Sequence, residues 1–172
     1  MDQPHARLTR LLSVALRAVL TFQIVLATAH FASAATPNSG SISPTGGTVT
    51  WDGFLAAAAA IDGEGDCIDD VVCDTFTLTV TGTPADWAGK LIPVKITWTN
   101  PANDFDLFIH KDSNDGPAIS HSAGGAPSTE EATAIDPGAT GTGVYTIHVV
   151  YFAVAADHRG GRAAPTANCQ LH

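Results

Sequence analysis

Basic residues are scarce in this chain of 172: eight Lys and Arg stand against seventeen Asp and Glu, a formal net charge of −9. A field of that sign repels polyphosphate, which excludes a general nucleic-acid binder. Charge of either sign is thin at 15%, while 45% of residues are apolar, which excludes a wholly disordered chain. No long segment after the N-terminus repeats apolar residues at helical spacing, so a helical bundle is excluded as well. Cysteine is limited to three residues, too few for a fold held mainly by disulfides. The length fits one ordinary domain.

There is one long apolar run, at the start. Arg7 and Arg10 lie in a short polar opening, Leu11 to Ala29 is apolar apart from Arg17, and Phe31-Ala32-Ser33-Ala34 follows. The effective apolar stretch, Ala18 to Ala29, is shorter than the roughly 20 residues of a membrane span. Ala32 and Ala34 form an A-x-A cleavage site. Residues 1–34 therefore read as an export signal, and the protein as secreted, extracellular or at the cell surface, with no membrane association after cleavage. Such a signal takes Arg7, Arg10 and Arg17 of the eight basic residues and Asp2 of the seventeen acids, leaving a remainder at −11.

Cys67 and Cys73 bracket five residues just before a strongly patterned strand. In an oxidising compartment that pair predicts a small disulfide loop. A zinc site would need two more soft ligands, and only Cys169 offers one, at no zinc-type spacing. Cys169 has no predicted partner.

The rest alternates. Residues 36–47 are turn-formers without periodicity, predicting a flexible linker over 35–47. Gly47 to Phe54 is a first short strand, and the alanine run inside Leu55 to Ile61 suggests a short helical or irregular crossing. Phe76, Leu78 and Val80 alternate with threonines; Leu91 to Thr99 and Asp104 to His110 alternate likewise. Ala118 to Ser122 and Glu131 to Ile135 are weaker strands. Val144 to Val154 is apolar on both faces, as in a central strand covered on both sides. The fold class predicted is all-β: an antiparallel, jelly-roll-like β-sandwich of about seven or eight short strands over 48–155, followed by an atypical tail, 156–172.

Three segments carry a family resemblance. Cys73-Asp74-Thr75-Phe76-Thr77-Leu78-Thr79-Val80 resembles the opening strand of the bacterial pre-peptidase C-terminal (PPC) domain. Asn103-Asp104-Phe105-Asp106-Leu107-Phe108-Ile109 resembles its D-x-D-L strand. Glu130-Glu131, then Gly138-Ala139 and Gly143-Val144-Tyr145-Thr146-Ile147-His148-Val149, is similar to its closing pattern. The match runs from about Val49 to Val154. It implies a compact sandwich carried by secreted bacterial hydrolases, peptidases especially, with an accessory role rather than catalysis; some relatives bind calcium and fibrous substrate. The sequence departs from the family after Val154. Gly161 and Ala163 keep the spacing of a last Y-x-G-x-A strand, but no alternating apolar face accompanies them, so the tail reads as at most a degenerate strand.

The candidate metal ligands are Asp104 and Asp106, at i and i+2 on one strand face, which with Asp112 or Asp115 from the next turn would hold a structural calcium. The competing assignment has Asp104 capping a turn and Asp106 accepting cross-strand hydrogen bonds. Asp62, Glu64, Asp66, Asp69, Asp70 and Asp74 make a denser acidic run, which reads as a solvated loop or a second cation site. His110, His121 and His148 are the histidines inside the fold. His110 and His121 could face each other across a hairpin as zinc ligands, but the usual spacings are absent and exposed strand histidines are expected. Ser120 and Ser122 lie in no nucleophile elbow, and Asp106 with Glu131 is a remote choice for a glycosidase pair. Trp98 is in phase with the core, whereas Trp87 follows a turn and is the expected exposed ring for docking a ligand.

The leading expectation is a secreted, non-catalytic PPC-like module of an extracellular hydrolase or peptidase, monomeric, requiring no cofactor beyond that calcium. It would aid substrate engagement, positioning or secretion. The alternatives are a self-standing protein that binds a glycan or protein polymer through Trp87, and a hydrolase whose site the sequence does not display.

Overall fold

The computed structural model describes residues 35–53, 60, 62–69 and 71–155, together with the backbone of 166–170. The expected export signal, most of the alanine-rich crossing and most of the tail lie outside the described residues.

Among the described residues nine strands form two sheets. In chain order they are β1 (Ser39–Ile42), β2 (Thr48–Asp52), β3 (Cys73–Val80), β4 (Ile92–Thr97), β5 (Asp104–Lys111), β6 (Ser120–Ser122), β7 (Glu130–Ile135), β8 (Gly143–Ala153) and β9 (Thr166–Gln170). One sheet has the order β1-β3-β8-β5-β6 and the other β2-β9-β4-β7. Among the described residues one short α-helix, α1 (Pro137–Thr140), is capped by the Asp136 side chain, which accepts from the Ala139 amide. The all-β sandwich is as the alternation predicts.

Between the sheets the apolar phase of each strand is buried: Phe76, Leu78 and Val80 from β3, Val94 and Ile96 from β4, Phe105, Leu107 and Ile109 from β5, and Tyr145, Ile147, Val149 and Tyr151 from β8. Aromatic rings organise this core. Trp51 stacks on Phe76 with centroids 4.1 Å apart, and Phe105 packs against both Trp98 and Tyr151. β8 is central, paired antiparallel with β3 and β5. Its outer face is covered too: Val150 packs with Ala60 and Cys73, flanked by Cys67, Val72 and Phe108. This second small core is roofed by the segment that the Cys67–Cys73 disulfide closes.

Two boundaries differ from the sequence reading. The expected linker over 35–47 contains β1, which pairs in parallel with β3 from Ser39 opposite Thr77 to Ile42 opposite Val80. Ala35 and Ile42 are buried in the main core. The sheets are thus not purely antiparallel, and the sandwich begins upstream of residue 48. The expected tail contains β9, which pairs antiparallel with both β2 and β4 and so sits inside the second sheet. Backbone pairing there needs no apolar alternation to be read in advance, because its two neighbours supply the ladder. Cys169 lies on this strand, opposite Val49 and Val94.

Candidate functional site

The outer face of the first sheet holds the densest group of reactive side chains among the described residues. His110 on β5 and His148 on β8 belong to paired strands, with Phe108 opposite His148 and His110 opposite Thr146. The two histidines are therefore diagonal neighbours on one face. They are 2% and 3% exposed, with ring centroids 6.4 Å apart and planes at 75°. A 3-10 turn, Gly63–Asp66, lies over them and carries Glu64. Glu64 Oε1 is 2.6 Å from His110 Nε2 and 3.0 Å from His148 Nδ1. The turn is held in place by Cys67, which follows it and is bonded to Cys73 at the start of β3.

The outer nitrogens of both rings are also engaged. His110 Nδ1–H donates to the Gly116 carbonyl at 2.9 Å. His148 Nε2 faces Cys67 Sγ at 2.7 Å and Asp69 Oδ1 at 3.5 Å. Asp69 Oδ1 in turn accepts from the Thr75 hydroxyl. Glu64, His110 and His148 bring three donor atoms within 4.8 Å of one another, as do Cys67, Cys73 and His148. The sequence reading weighed His110 and His121 as a zinc pair and preferred exposed strand histidines. That holds for His121, which is exposed and stacks on Phe108 with centroids 5.9 Å apart; it is corrected for His110 and His148, which are buried, and the partner of His110 comes from β8. The adjacency of β5 and β8 could not be read from alternation, and Glu64 was one acid among six in a run.

The four aspartates expected to share a calcium ion do not converge. Asp104 and Asp106 stand at the beginning of β5, while Asp112 and Asp115 lie beyond its end. Six residues of extended chain put Asp106 and Asp112 about 20 Å apart. Asp112 pairs with Lys111 Nζ at 2.7 Å, and Asp115 accepts from the Ser113 hydroxyl. Asp104 and Asp106 instead feel Glu131 of β7. Burial raises the Asp104 carboxyl, with Glu131 adding to the effect. Burial, then Asp104 and Glu131, push Asp106 up to about 6, opposed by His121.

The tryptophan assignment also changes. Trp87 is 0% exposed, and its indole N–H donates to the Thr81 carbonyl at 2.8 Å. It ends the 3-10 turn Pro84–Trp87, where Asp86 accepts from the Thr83 amide and hydroxyl at 2.8 and 2.7 Å. That turn tucks the ring inward, so Trp87 cannot stack on a ligand. Ser120 and Ser122, weighed as nucleophiles, tie the sheets together at their edge. Ser120 bonds Thr133, and Ser122 donates to Glu131, whose other oxygen accepts from the Gly124 amide at 3.1 Å.

Comparison with known proteins returned no matching family model and no matching curated protein. Among solved structures, the chain is similar to the pre-peptidase C-terminal domain of a collagenase from Bacillus anthracis. The identity is 12%, the likeness covers 78% of this chain and 94% of that domain, and the TM-score is 0.39. That domain is of the family which the three strand motifs resemble.

Proposed function

We propose that this chain is an exported, non-catalytic β-sandwich accessory module that works beside an extracellular bacterial hydrolase or peptidase, holding substrate or positioning the enzyme. The observation that carries this reading is the placement of the three PPC-like segments. They are far apart in sequence, yet their strand portions form β3, β8 and β5, three consecutive neighbours in one sheet, with Glu130-Glu131 and Gly138-Ala139 of the closing segment on β7 and α1. Their shared apolar positions line the main core, so the resemblance maps onto one contiguous framework rather than onto scattered strands. The hydroxyls of Ser120 and Ser122 are engaged between the sheets, which speaks against their serving as nucleophiles. A self-standing polymer binder loses its anchor once Trp87 is buried.

Co-sedimentation of the purified chain with insoluble collagen, cellulose, chitin and bacterial cell wall tests the proposal. Retention by at least one of these is expected, with no hydrolysis of generic ester, peptide or glycoside substrates. Turnover by the purified chain would sink the proposal, and failure to pellet with any polymer would sink its substrate-holding role.

A further inference from the structure

We propose that Glu64, His110 and His148 form a binding site for a divalent transition metal of the zinc type. The proposal follows from how the three side chains converge. A carbonyl oxygen only accepts, so the contact to Gly116 places the His110 proton on Nδ1 and leaves a lone pair on Nε2. The far nitrogen of His148, Nε2, faces the disulfide sulfur of Cys67 and, at 3.5 Å, the Asp69 carboxylate. The inner nitrogens of the two rings, His110 Nε2 and His148 Nδ1, point at the same carboxylate oxygen, at 2.6 and 3.0 Å.

Three donor atoms, two imidazole nitrogens and one carboxylate oxygen, thus converge within 4.8 Å of one another on a face where both rings are nearly out of water. One divalent cation would be held by all three at once. The supporting contacts are those of a metal site. The far nitrogen of His110 is held by a backbone carbonyl, and that of His148 lies 3.5 Å from the Asp69 carboxylate, which Thr75 holds in turn. Two imidazole nitrogens and one carboxylate oxygen suit zinc and cobalt far better than calcium, which takes oxygen ligands. Tetrahedral zinc, with bonds of roughly 2.0–2.2 Å, separates its donors by a little over 3 Å. Glu64 therefore has to withdraw only slightly. Its side chain is 26% exposed and rides on a surface turn, so it can do so while leaving the fourth position to water. The site is independent of the accessory role, since it uses none of the residues that carry the PPC resemblance except His148.

The test is zinc binding by the full chain after treatment with chelator, followed by calorimetry, thermal unfolding and the visible spectrum of the cobalt form. One equivalent of zinc is expected to bind at the site, to raise the melting temperature and to survive excess calcium. Cobalt should give the absorption of a four-coordinate N/O site. Glu64→Gln should weaken zinc binding at least about tenfold while melting like the wild type in chelator. Asp69→Asn, which touches no metal, should weaken it by about tenfold through His148, and His121→Ala should leave it unchanged. His110→Gln adds support if it folds, but Glu64→Gln decides alone. Absence of saturable zinc binding by folded wild-type protein overturns the proposal. So does zinc binding unaffected by Glu64→Gln, which would place the metal on other histidines or Cys169.

Discussion

Asp106 shows how a single carboxyl can work against the fold that holds it. Its burial and its two acidic neighbours, Asp104 and Glu131, push it up to about 6 from an ordinary 3.8. Between those two values the folded chain binds a proton that the unfolded chain does not. This group's contribution to stability therefore falls as pH rises from about 4 to about 6, and above that it is destabilising. Asp106→Asn keeps the shape and removes the charge. It is expected to melt a few degrees above wild type at pH 7.5, with the gain shrinking towards pH 4.5; an equal or lower melting point at pH 7.5 would refute this. The i, i+2 spacing of Asp104 and Asp106 was legible in the sequence. Glu131 entered the sequence reading only as a remote partner of Asp106 in a glycosidase pair; that it presses on both aspartates was not legible, because it arrives from the opposite sheet. His110 and His148 were obscured in the same way: both were visible as strand histidines, but only the order of strands makes them neighbours. Trp87 shows the opposite failure. Its local context of Pro84, Ala85 and Asp86 is that of a surface turn, and a buried acceptor at Thr81 outweighs it.

Among the elements, β1 is the least legible. Asn38 to Ser43 consists of small polar residues and one isoleucine, which satisfies every rule for a linker. Its backbone nonetheless extends the first sheet, and Gly40 is the reason it can lie so close to β2. A Cβ at that position would sit 2.4 Å from a Val49 methyl and 3.1 Å from the Phe76 ring. Val49 is β-branched and has little freedom to move away. Gly40→Val is expected to destabilise the protein by roughly 1–3 kcal/mol through overpacking. The readout is a lower urea midpoint at unchanged slope, and Ser41→Val, on the exposed side of the same strand, should be nearly neutral. A Gly40→Val midpoint equal to wild type would show that β1 is as loosely attached as its composition suggests. β3 and β5 were legible because their inward apolar residues alternate, as Phe76, Leu78 and Val80 and as Phe105, Leu107 and Ile109, and β8 because it is a long run of β-formers apolar on both faces.

The whole molecule is a sandwich whose second sheet is assembled from the far ends of the described chain. β2 and β4 do not pair with each other; β9 stands between them. Removing everything after Val154 should therefore detach β2 and expose the face of the main core that Trp51 covers. A chain so shortened is expected to lose its cooperative thermal transition and the near-ultraviolet circular dichroism of its packed tryptophans. A sharp transition within a few degrees of wild type would overturn the assignment of β9 as an integral strand. The class of fold was legible at this scale, since turns recur between short alternating segments. The placement of the last strand was not, because a strand whose pairing is supplied by two neighbours need not advertise itself in side-chain pattern.

That closure carries a consequence for timing. Thr48 faces Gln170 across the β2–β9 ladder, a contact that spans almost the whole described chain, and pairings of such sequence separation are slow to form because a large loop must close first. When the polypeptide is delivered from its N-terminus, whether by a ribosome or through a channel, β2 waits for a partner that emerges after every other described strand. The first sheet, completed by Ser122 and β8, can form earlier, so the molecule has a built-in delay between gaining its framework and sealing its core.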